Sequence, residues 1–373
     1  MGSAGDAVSR LFDALAEVIA EQGISVLSER VYALRSAREE VLQRRTEALL
    51  AKGLGRDTPV TFLQGTPASG QALAGVQLWG VTPRAGSGQR VEAVERDGQV
   101  GGREWIGPDF RQLVLASIDG LGGGVPPSAP EQARRMFERA SEALAERGYS
   151  FRGVARTWIY FSRLLDWYGD FNAVRNAHYA AAGLSATAEP GMASAFPAST
   201  GIQAQSASEE CLMDVLAIDP GHAGRLEVRP VAQSGRQGQA AAYGSAFSRA
   251  MVIDWKDYRT IHISGTASID PEGRSTHPDD ARAQLRETMI NINALLEPEG
   301  AGLSNLCQGT LFAKSAAVAA TCRDAARDLG LPELPFVEVI ADVCRPELLV
   351  EIEAVAIARG ERGRPGAPAL SGP

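Results

Sequence analysis

IHISGTASIDPEG, at residues 261–273, resembles an earlier stretch of the chain, LVLASIDG at residues 113–120. Both are apolar, strand-like runs that close on Ser-Ile-Asp, and Ser117 and Ser268 lie roughly 150 residues apart. A similarity that recurs once at this distance predicts two copies of one structural unit within the chain.

The segments after each stretch follow the same order, which supports the repeat. Each copy continues with a helical pattern, a short strand, a second helical pattern and a closing strand. In the first copy these are APEQARRMFERASEALAERG, ARTWIYFSRLL, DFNAVRNAHYAAAG and CLMDVLAI; in the second they are HPDDARAQLRETMININ, QGTLFAKSA, VAATCRDAARDLG and LLVEIEAVAI. This order predicts an α+β fold, in which each unit is a mixed β-sheet with its helices on one face.

The remaining segments suggest how the chain is divided. Residues 1–57 carry apolar side chains at helical spacing and predict an N-terminal helical arm. The two repeated units are predicted at 58–220 and 246–360. Residues 221–245 are rich in Gly, Gln and Ala and predict a linker, and residues 361–373 predict a disordered tail.

Composition excludes several classes of function. The chain has 373 residues, a net charge of −8 and a pI near 5.3, so it lacks the basic balance of a nucleic-acid or membrane-surface protein. Its four cysteines and four histidines show no metal-ligand spacing, so we expect neither a metal nor another cofactor. The acidic N-terminus does not resemble a signal peptide, which favours a cytoplasmic location.

The closing strand of the second copy carries two glutamates at alternate positions. In LLVEIEAVAI, residues 348–357, Glu351 and Glu353 share one face while apolar residues take the other. That face is either solvated or ion-paired, or it lines a cleft. In a cleft, one of two close carboxylates has a raised pKa and can act as a general acid.

Several short segments of the sequence resemble the Rid (YjgF-type) superfamily. The resemblance rests on SGTASIDPEG, YGDFNAVRNAHY, FPASTGIQA and ELLVEIEAVA, and covers residues 110–219 and 247–359. It implies two Rid-like, chorismate-mutase-like units, which in that superfamily form three-fold rings with sites between neighbours. Rid imine deaminases carry an arginine after a Pro-Ala pair, where this chain has Ser199, and the second unit also lacks it.

The tandem arrangement is similar to the chorismatases, a branch that cleaves chorismate and releases pyruvate. The shared pattern is LLDWYGDFNAVRN, then PASTGI, then a stretch ending in Phe-Ser-Arg-Ala, then a glutamate on the closing strand. It implies Glu351 as the catalytic acid and Cys344 as a mark of the branch that makes 3-hydroxybenzoate. It also implies substrate-binding roles for Tyr168, Arg175, Tyr243, Arg249, Gly265 and Arg345.

Structural interpretations of these residues stay open at this point. Cys344 could be a small buried residue, Tyr168 could be core packing, and Arg175 and Arg249 could be surface charges. The leading hypothesis is a chorismatase whose partner is the small anionic substrate chorismate, with Arg175 of the first unit meeting Glu351 of the second. The alternatives are a Rid-like imine or enamine hydrolase and a non-catalytic ligand-binding protein. The two units are expected to form a pseudo-symmetric pair, and the resemblance implies an oligomer with a trimeric or pseudo-trimeric arrangement.

Overall fold

We describe the protein from a computed structural model covering residues 4–54, 57–69, 71–122, 125–185, 196–204, 209–221, 226–255 and 257–360. These residues form six α-helices and sixteen β-strands in three sheets, which confirms the α+β class. The predicted disordered tail lies outside the described residues. No described helix has the length and apolar character needed to cross a membrane.

The N-terminal region differs from the predicted helical arm, because a strand interrupts it. The region consists of α1 (Ala4–Glu21), β1 (Ser25–Ala33), α2 (Arg38–Ala51), β2 (Thr61–Gln64), β3 (Thr66–Pro67) and β4 (Leu73–Val81). Strand β1 lies between β2 and β4. Its charged residues Glu29 and Arg30 are both buried in ion pairs, with Arg45 and Asp214 respectively.

The first repeated unit forms a six-stranded sheet in the order β5–β6–β7–β10–β8–β9. Its elements are β5 (Arg90–Arg96), β6 (Gln99–Ile106), β7 (Arg111–Asp119), α3 (Ala129–Glu146), β8 (Val154–Phe161), α4 (Leu164–Ala181), β9 (Ala198–Gln203) and β10 (Cys211–Asp219). Helices α3 and α4 cover one face and bury Phe137 and Phe171 against it. The sheet starts at Arg90 rather than 58, because residues 61–81 pair with other strands.

The second unit repeats this order and adds β3 at its edge. Its elements are β11 (Glu227–Val231), β12 (Ala250–Asp254), β13 (Tyr258–Ala267), α5 (Ala281–Leu296), β14 (Leu306–Ala313), α6 (Ala316–Asp328), β15 (Phe336–Ile340) and β16 (Val350–Arg359). Strand β11 lies in the segment predicted as a linker, which corrects that prediction. The strand is short, contains Pro230 and lies at the sheet edge, where a proline is tolerated because no partner needs its missing N–H.

The three sheets contact one another in a closed ring within the single chain. Strand β1 packs on β6, β9 packs on β13, and β15 packs on β4. The N-terminal elements α1–β1–α2–β2–β4 also follow the order of α5–β14–α6–β15–β16. In both sets the first strand pairs in parallel with the second strand and antiparallel with the third. The region predicted as an arm thus repeats the second half of the second unit, and it completes a pseudo-trimeric ring.

Buried polar contacts hold the ring together. Asp214 accepts hydrogen bonds from Arg30 Nε at 2.9 Å, from Thr61 Oγ1 at 2.7 Å and from the Ser117 backbone N–H at 2.9 Å. Two of these donors belong to the N-terminal sheet, so Asp214 joins that sheet to the first unit. Because the pair is buried, removing one partner leaves an uncompensated charge in a medium of low dielectric constant.

We expect Asp214→Ala to lower the free energy of unfolding by about 3 kcal/mol or more, because Arg30 would stay buried without its carboxylate. Urea denaturation followed by far-UV circular dichroism measures this change. The matched control is Glu47→Ala, which removes an exposed carboxylate paired with Arg44 and should leave the midpoint unchanged. An equal, small effect in both variants would contradict this role of Asp214.

Candidate active site

The face of β16 that carries the two glutamates is buried. Val350 and Ile352 pack under the helices of the second unit, as the alternation predicts. Glu351 and Glu353 point to the opposite face and are each 4% exposed. A solvated sheet face is therefore excluded, and both carboxylates lie where the sheets of the ring meet.

Glu351 lines a cavity between the two repeated units. The cavity has a volume of about 220 Å³ and takes Arg175 from α4, Ser199 from β9, and Glu351 from β16. Arg175 of the first unit and Glu351 of the second thus line the same cavity. The other predicted residues also line this cavity: Tyr168, Tyr243, Arg249, Gly265, Cys344 and Arg345.

Gly265 gives the Glu351 carboxyl its space. A Cβ atom at position 265 would lie 2.0 Å from Glu351 Oε1 and 3.3 Å from Thr200 Cγ2. The Gly265 backbone N–H donates a hydrogen bond to Thr200 Oγ1 at 3.1 Å, across the boundary between the units. Any side chain at this position would have to displace the carboxyl group from the cavity wall.

The surroundings of Glu351 favour its protonated form. Burial, followed by the nearby negative charge of Glu353, raises the pKa of Glu351 to about 8. The positive charges of Arg156 and Arg345 oppose this shift and do not overcome it. At neutral pH the cavity therefore contains a carboxylic acid with a proton to donate.

Cys344 lies beside this acid as a neutral thiol. Its S–H group donates to Glu351 Oε2 across 3.9 Å. Burial, with a smaller contribution from the charge of Glu351, raises the pKa of Cys344 to about 12. The thiol is thus a weak nucleophile at neutral pH.

The cavity is lined by three arginines that form no ion pair with a carboxylate in the described part of the chain. Arg175 is 1% exposed, and its side-chain hydrogen bond goes to Asn172 Oδ1 at 2.6 Å. Arg249 donates to the Gly238 carbonyl at 2.7 and 3.0 Å, and Arg345 donates to the Gly273 carbonyl at 2.7 Å. Buried guanidinium groups without counter-ions are suited to bind carboxylates of a ligand.

Two tyrosines add hydroxyl groups to the same wall. Tyr168 is half-buried on α4, and burial raises its pKa well above the ordinary value. Tyr243 lies under Arg249 and Arg345, whose guanidinium carbons are 5.5 and 5.3 Å from its ring centroid. Both tyrosines are neutral hydrogen-bond donors at physiological pH.

Sequence analysis missed Arg156, which is 2% exposed and reaches the site from β8. Its Nη2 atom donates to Glu353 Oε2 at 3.0 Å and to Thr200 Oγ1 at 2.5 Å. The available signal was an arginine inside the strand-like run ARTWIYF, since a charge in a fully buried strand requires a partner.

The chemistry of the cavity is that of an acid among cations. In the described residues, no three His, Cys, Asp or Glu side chains converge as metal ligands would. A larger cavity of about 550 Å³ opens near Trp105, Phe110 and Trp255, but its arginine, Arg84, is exposed. The smaller cavity combines a carboxyl group whose pKa is raised with buried guanidinium groups.

The chain is similar to known proteins over part or most of its length. The family described as endoribonuclease L-PSP matches residues 239–358. A chorismatase structure solved at 1.08 Å resolution is 18% identical, covers 89% of this chain and 93% of its own, and has a TM-score of 0.62. YjgF from E. coli is 22% identical over 35% of this chain and 99% of its own (TM-score 0.29), and a putative endoribonuclease from Thermotoga maritima is 24% identical over 35% and 99% (TM-score 0.29).

The chorismatase structure confirms the resemblance at the level of fold. The chain has the chorismatase fold, and its second unit contains a domain of the L-PSP (Rid/YjgF) type. The candidate cavity lies between this domain and the first unit.

We expect Glu351→Gln to stabilise the ligand-free protein above about pH 4.5. The folded chain takes up a proton at Glu351 that the unfolded chain does not hold, so wild-type stability falls relative to the variant as pH rises from 4.5 to about 8. At pH 7 the difference is up to about 3 kcal/mol. Thermal melts from pH 4 to pH 9 test this, and a gap that does not change with pH would contradict the raised pKa.

Proposed function

We propose that this protein is a chorismatase-type enzyme, which cleaves the enolpyruvyl ether of chorismate and releases pyruvate. The observation that carries the proposal is a protonated Glu351 in a cavity with buried arginines that have no counter-ion. Chorismate is a dianion with an acid-labile enol ether. The chorismatase fold supports the same reaction class.

Glu351 supplies the proton that the reaction needs. Carbon is a poor base, so protonation of the enol-ether methylene requires an acid held against it at neutral pH. The proton passes from Glu351 to that carbon and produces an oxocarbenium ion, while the carboxylate left behind stabilises the positive charge. Arg175 and Arg249 are the clamps for the substrate carboxylates.

We propose 3-hydroxybenzoate as the second product. The ring hydroxyl attacks the neighbouring carbon and passes its proton back to the Glu351 carboxylate, while the C–O bond to the side chain breaks and pyruvate leaves. The arene oxide then opens to the aromatic acid, with no net uptake of water. The Cys344 thiol fills the wall beside Glu351 Oε2, and a drier pocket favours this route over hydrolysis to a dihydroxycyclohexadienoate.

The alternative functions lose support from the same geometry. A non-catalytic role would fit glutamates facing solvent with no arginine nearby, whereas both glutamates are buried beside arginines. An imine hydrolase of the Rid type would use an arginine where Ser199 lines the cavity.

Incubating the protein with chorismate and following pyruvate through lactate dehydrogenase tests the proposal. We expect Glu351→Gln to lower kcat at least 10³-fold, since general acid catalysis contributes about 10²–10⁴-fold. The control is Glu104→Gln, which replaces a buried, ion-paired carboxylate of the first unit outside the cavity and should keep its activity. No pyruvate from the wild type would refute the proposed function.

Mass analysis of the ring product tests the role of Cys344. We expect 3-hydroxybenzoate from the wild type and a larger share of the dihydroxycyclohexadienoate from Cys344→Ala, because the space left by sulfur admits water. Cys322→Ala replaces a buried cysteine of helix α6, is the matched control and should leave the product ratio unchanged. A diol as the main wild-type product would overturn this assignment and leave the reaction class intact.

A further inference from the structure

Glu353, one position beyond Glu351 on the same face of β16, is held by residues from both units. Its Oε2 atom accepts from Arg156 at 3.0 Å, and its Oε1 atom accepts from Thr310 at 3.2 Å. Arg156 comes from the first unit and Thr310 from the second. The ion pair is nearly inaccessible to solvent, with side-chain exposures of 2% for Arg156 and 5% for Glu353.

A chain of hydrogen bonds links this pair to the wall of the cavity. Arg156 Nη2 also donates to Thr200 Oγ1, and Thr200 Oγ1 accepts from the Gly265 backbone N–H. Gly265 is the residue that gives Glu351 its space. The direction of Arg156 toward Glu353 and Thr200 is therefore fixed by the same contacts that shape the site.

We propose that Arg156 and Glu353 are positioning residues that set the pH range over which Glu351 acts as an acid. This inference rests on the proposed function and deepens it. The negative charge of Glu353 acts through a water-poor interior and opposes ionisation of its neighbour. Arg156 limits that effect and keeps the second carboxylate in place without itself entering the candidate cavity.

Other charged and titratable groups also face Glu351 and must be kept constant in a test. The ones that influence it or line the same cavity are Tyr168, Arg175, Tyr243, Arg249, Cys344 and Arg345. Burial is the largest cause of the raised pKa, and Glu353 is the largest charge effect. Changing Glu353 alone therefore isolates the charge effect from burial.

The test is the pH dependence of kcat/KM for pyruvate release by Glu353→Gln. The amide keeps the shape of the side chain and an acceptor oxygen for Arg156, but it removes the negative charge. We expect the basic limb of the profile to move to lower pH by about one unit or more. The value at pH 8 should fall about fivefold, approaching about tenfold at higher pH, while the acidic plateau is retained.

Two further variants separate this role from a structural one. Glu104→Gln replaces a buried glutamate paired with Arg111 and Arg147, and it should leave the limb in place. Arg156→Met combined with Glu353→Gln gives a neutral pair in case Glu353→Gln does not fold. Its limb should lie between those of the wild type and Glu353→Gln, because both charge effects are gone. An unshifted limb in a folded Glu353→Gln or in the double variant would overturn the inference.

A direct titration keeps the inference testable apart from the reaction. Infrared difference spectra follow the protonated carboxyl band that Glu351→Gln removes. We expect this band to disappear near pH 8 in the wild type and at lower pH in Glu353→Gln. Absence of pyruvate would refute the proposed function alone, whereas an identical titration in the two proteins would refute the control by Glu353.

Discussion

Burial of two carboxylates at alternate positions of one strand is the constraint on which the rest of the site depends. Glu351 and Glu353 are both excluded from water on one face of β16, and two adjacent buried negative charges are too costly to coexist. The structure resolves this conflict by giving the ion-pair partner, Arg156, to Glu353 and leaving Glu351 to take up a proton. Because Arg156 belongs to the first unit, neither repeated unit alone has the groups that create the acid.

Equivalent strand pairs occur in all three sheets of the ring, but their residues differ at the position of Glu351. Three large aromatic residues, Tyr32, Tyr160 and Phe312, lie in the central core, one from each sheet. Their partners on the adjacent closing strands are Gly75, Leu212 and Glu351, respectively. A carboxyl group therefore occupies this register in the second unit alone. One position further along, the partners of Arg30, Trp158 and Thr310 are the polar residues Gln77, Asp214 and Glu353. The position of Gln77, Asp214 and Glu353 is polar in all three sheets, whereas the position of Glu351 is acidic only in the second unit.

Sequence patterns predicted the parts of this molecule that depend on local periodicity, and they were less informative about contacts between distant segments. The repeat at 113–120 and 261–273 predicted both units, and the alternation around Glu351 predicted which residues pack under the helices. The strand β1 was mistaken for helix, because its charges find their partners in Arg45, 16 residues away, and in Asp214, 184 residues away. Arg156 was missed for the same reason, since its partner Glu353 is 197 residues away. The residues implied by the chorismatase resemblance all line one cavity, while their roles stay predictions.

The groups that line the cavity lower the stability of the ligand-free protein. A carboxyl group that must take up a proton on folding, and guanidinium groups buried without carboxylates, both reduce the free energy of unfolding. The chain carries these costs at one interface, where Arg175, Arg249 and Glu351 converge, and satisfies its buried charges at another, where Arg30 and Asp214 pair. A dianionic ligand would reverse the balance, because its carboxylates supply the missing counter-charges and keep Glu351 protonated. Binding of such a ligand and the protonated state of Glu351 are thus favoured by the same electrostatic arrangement.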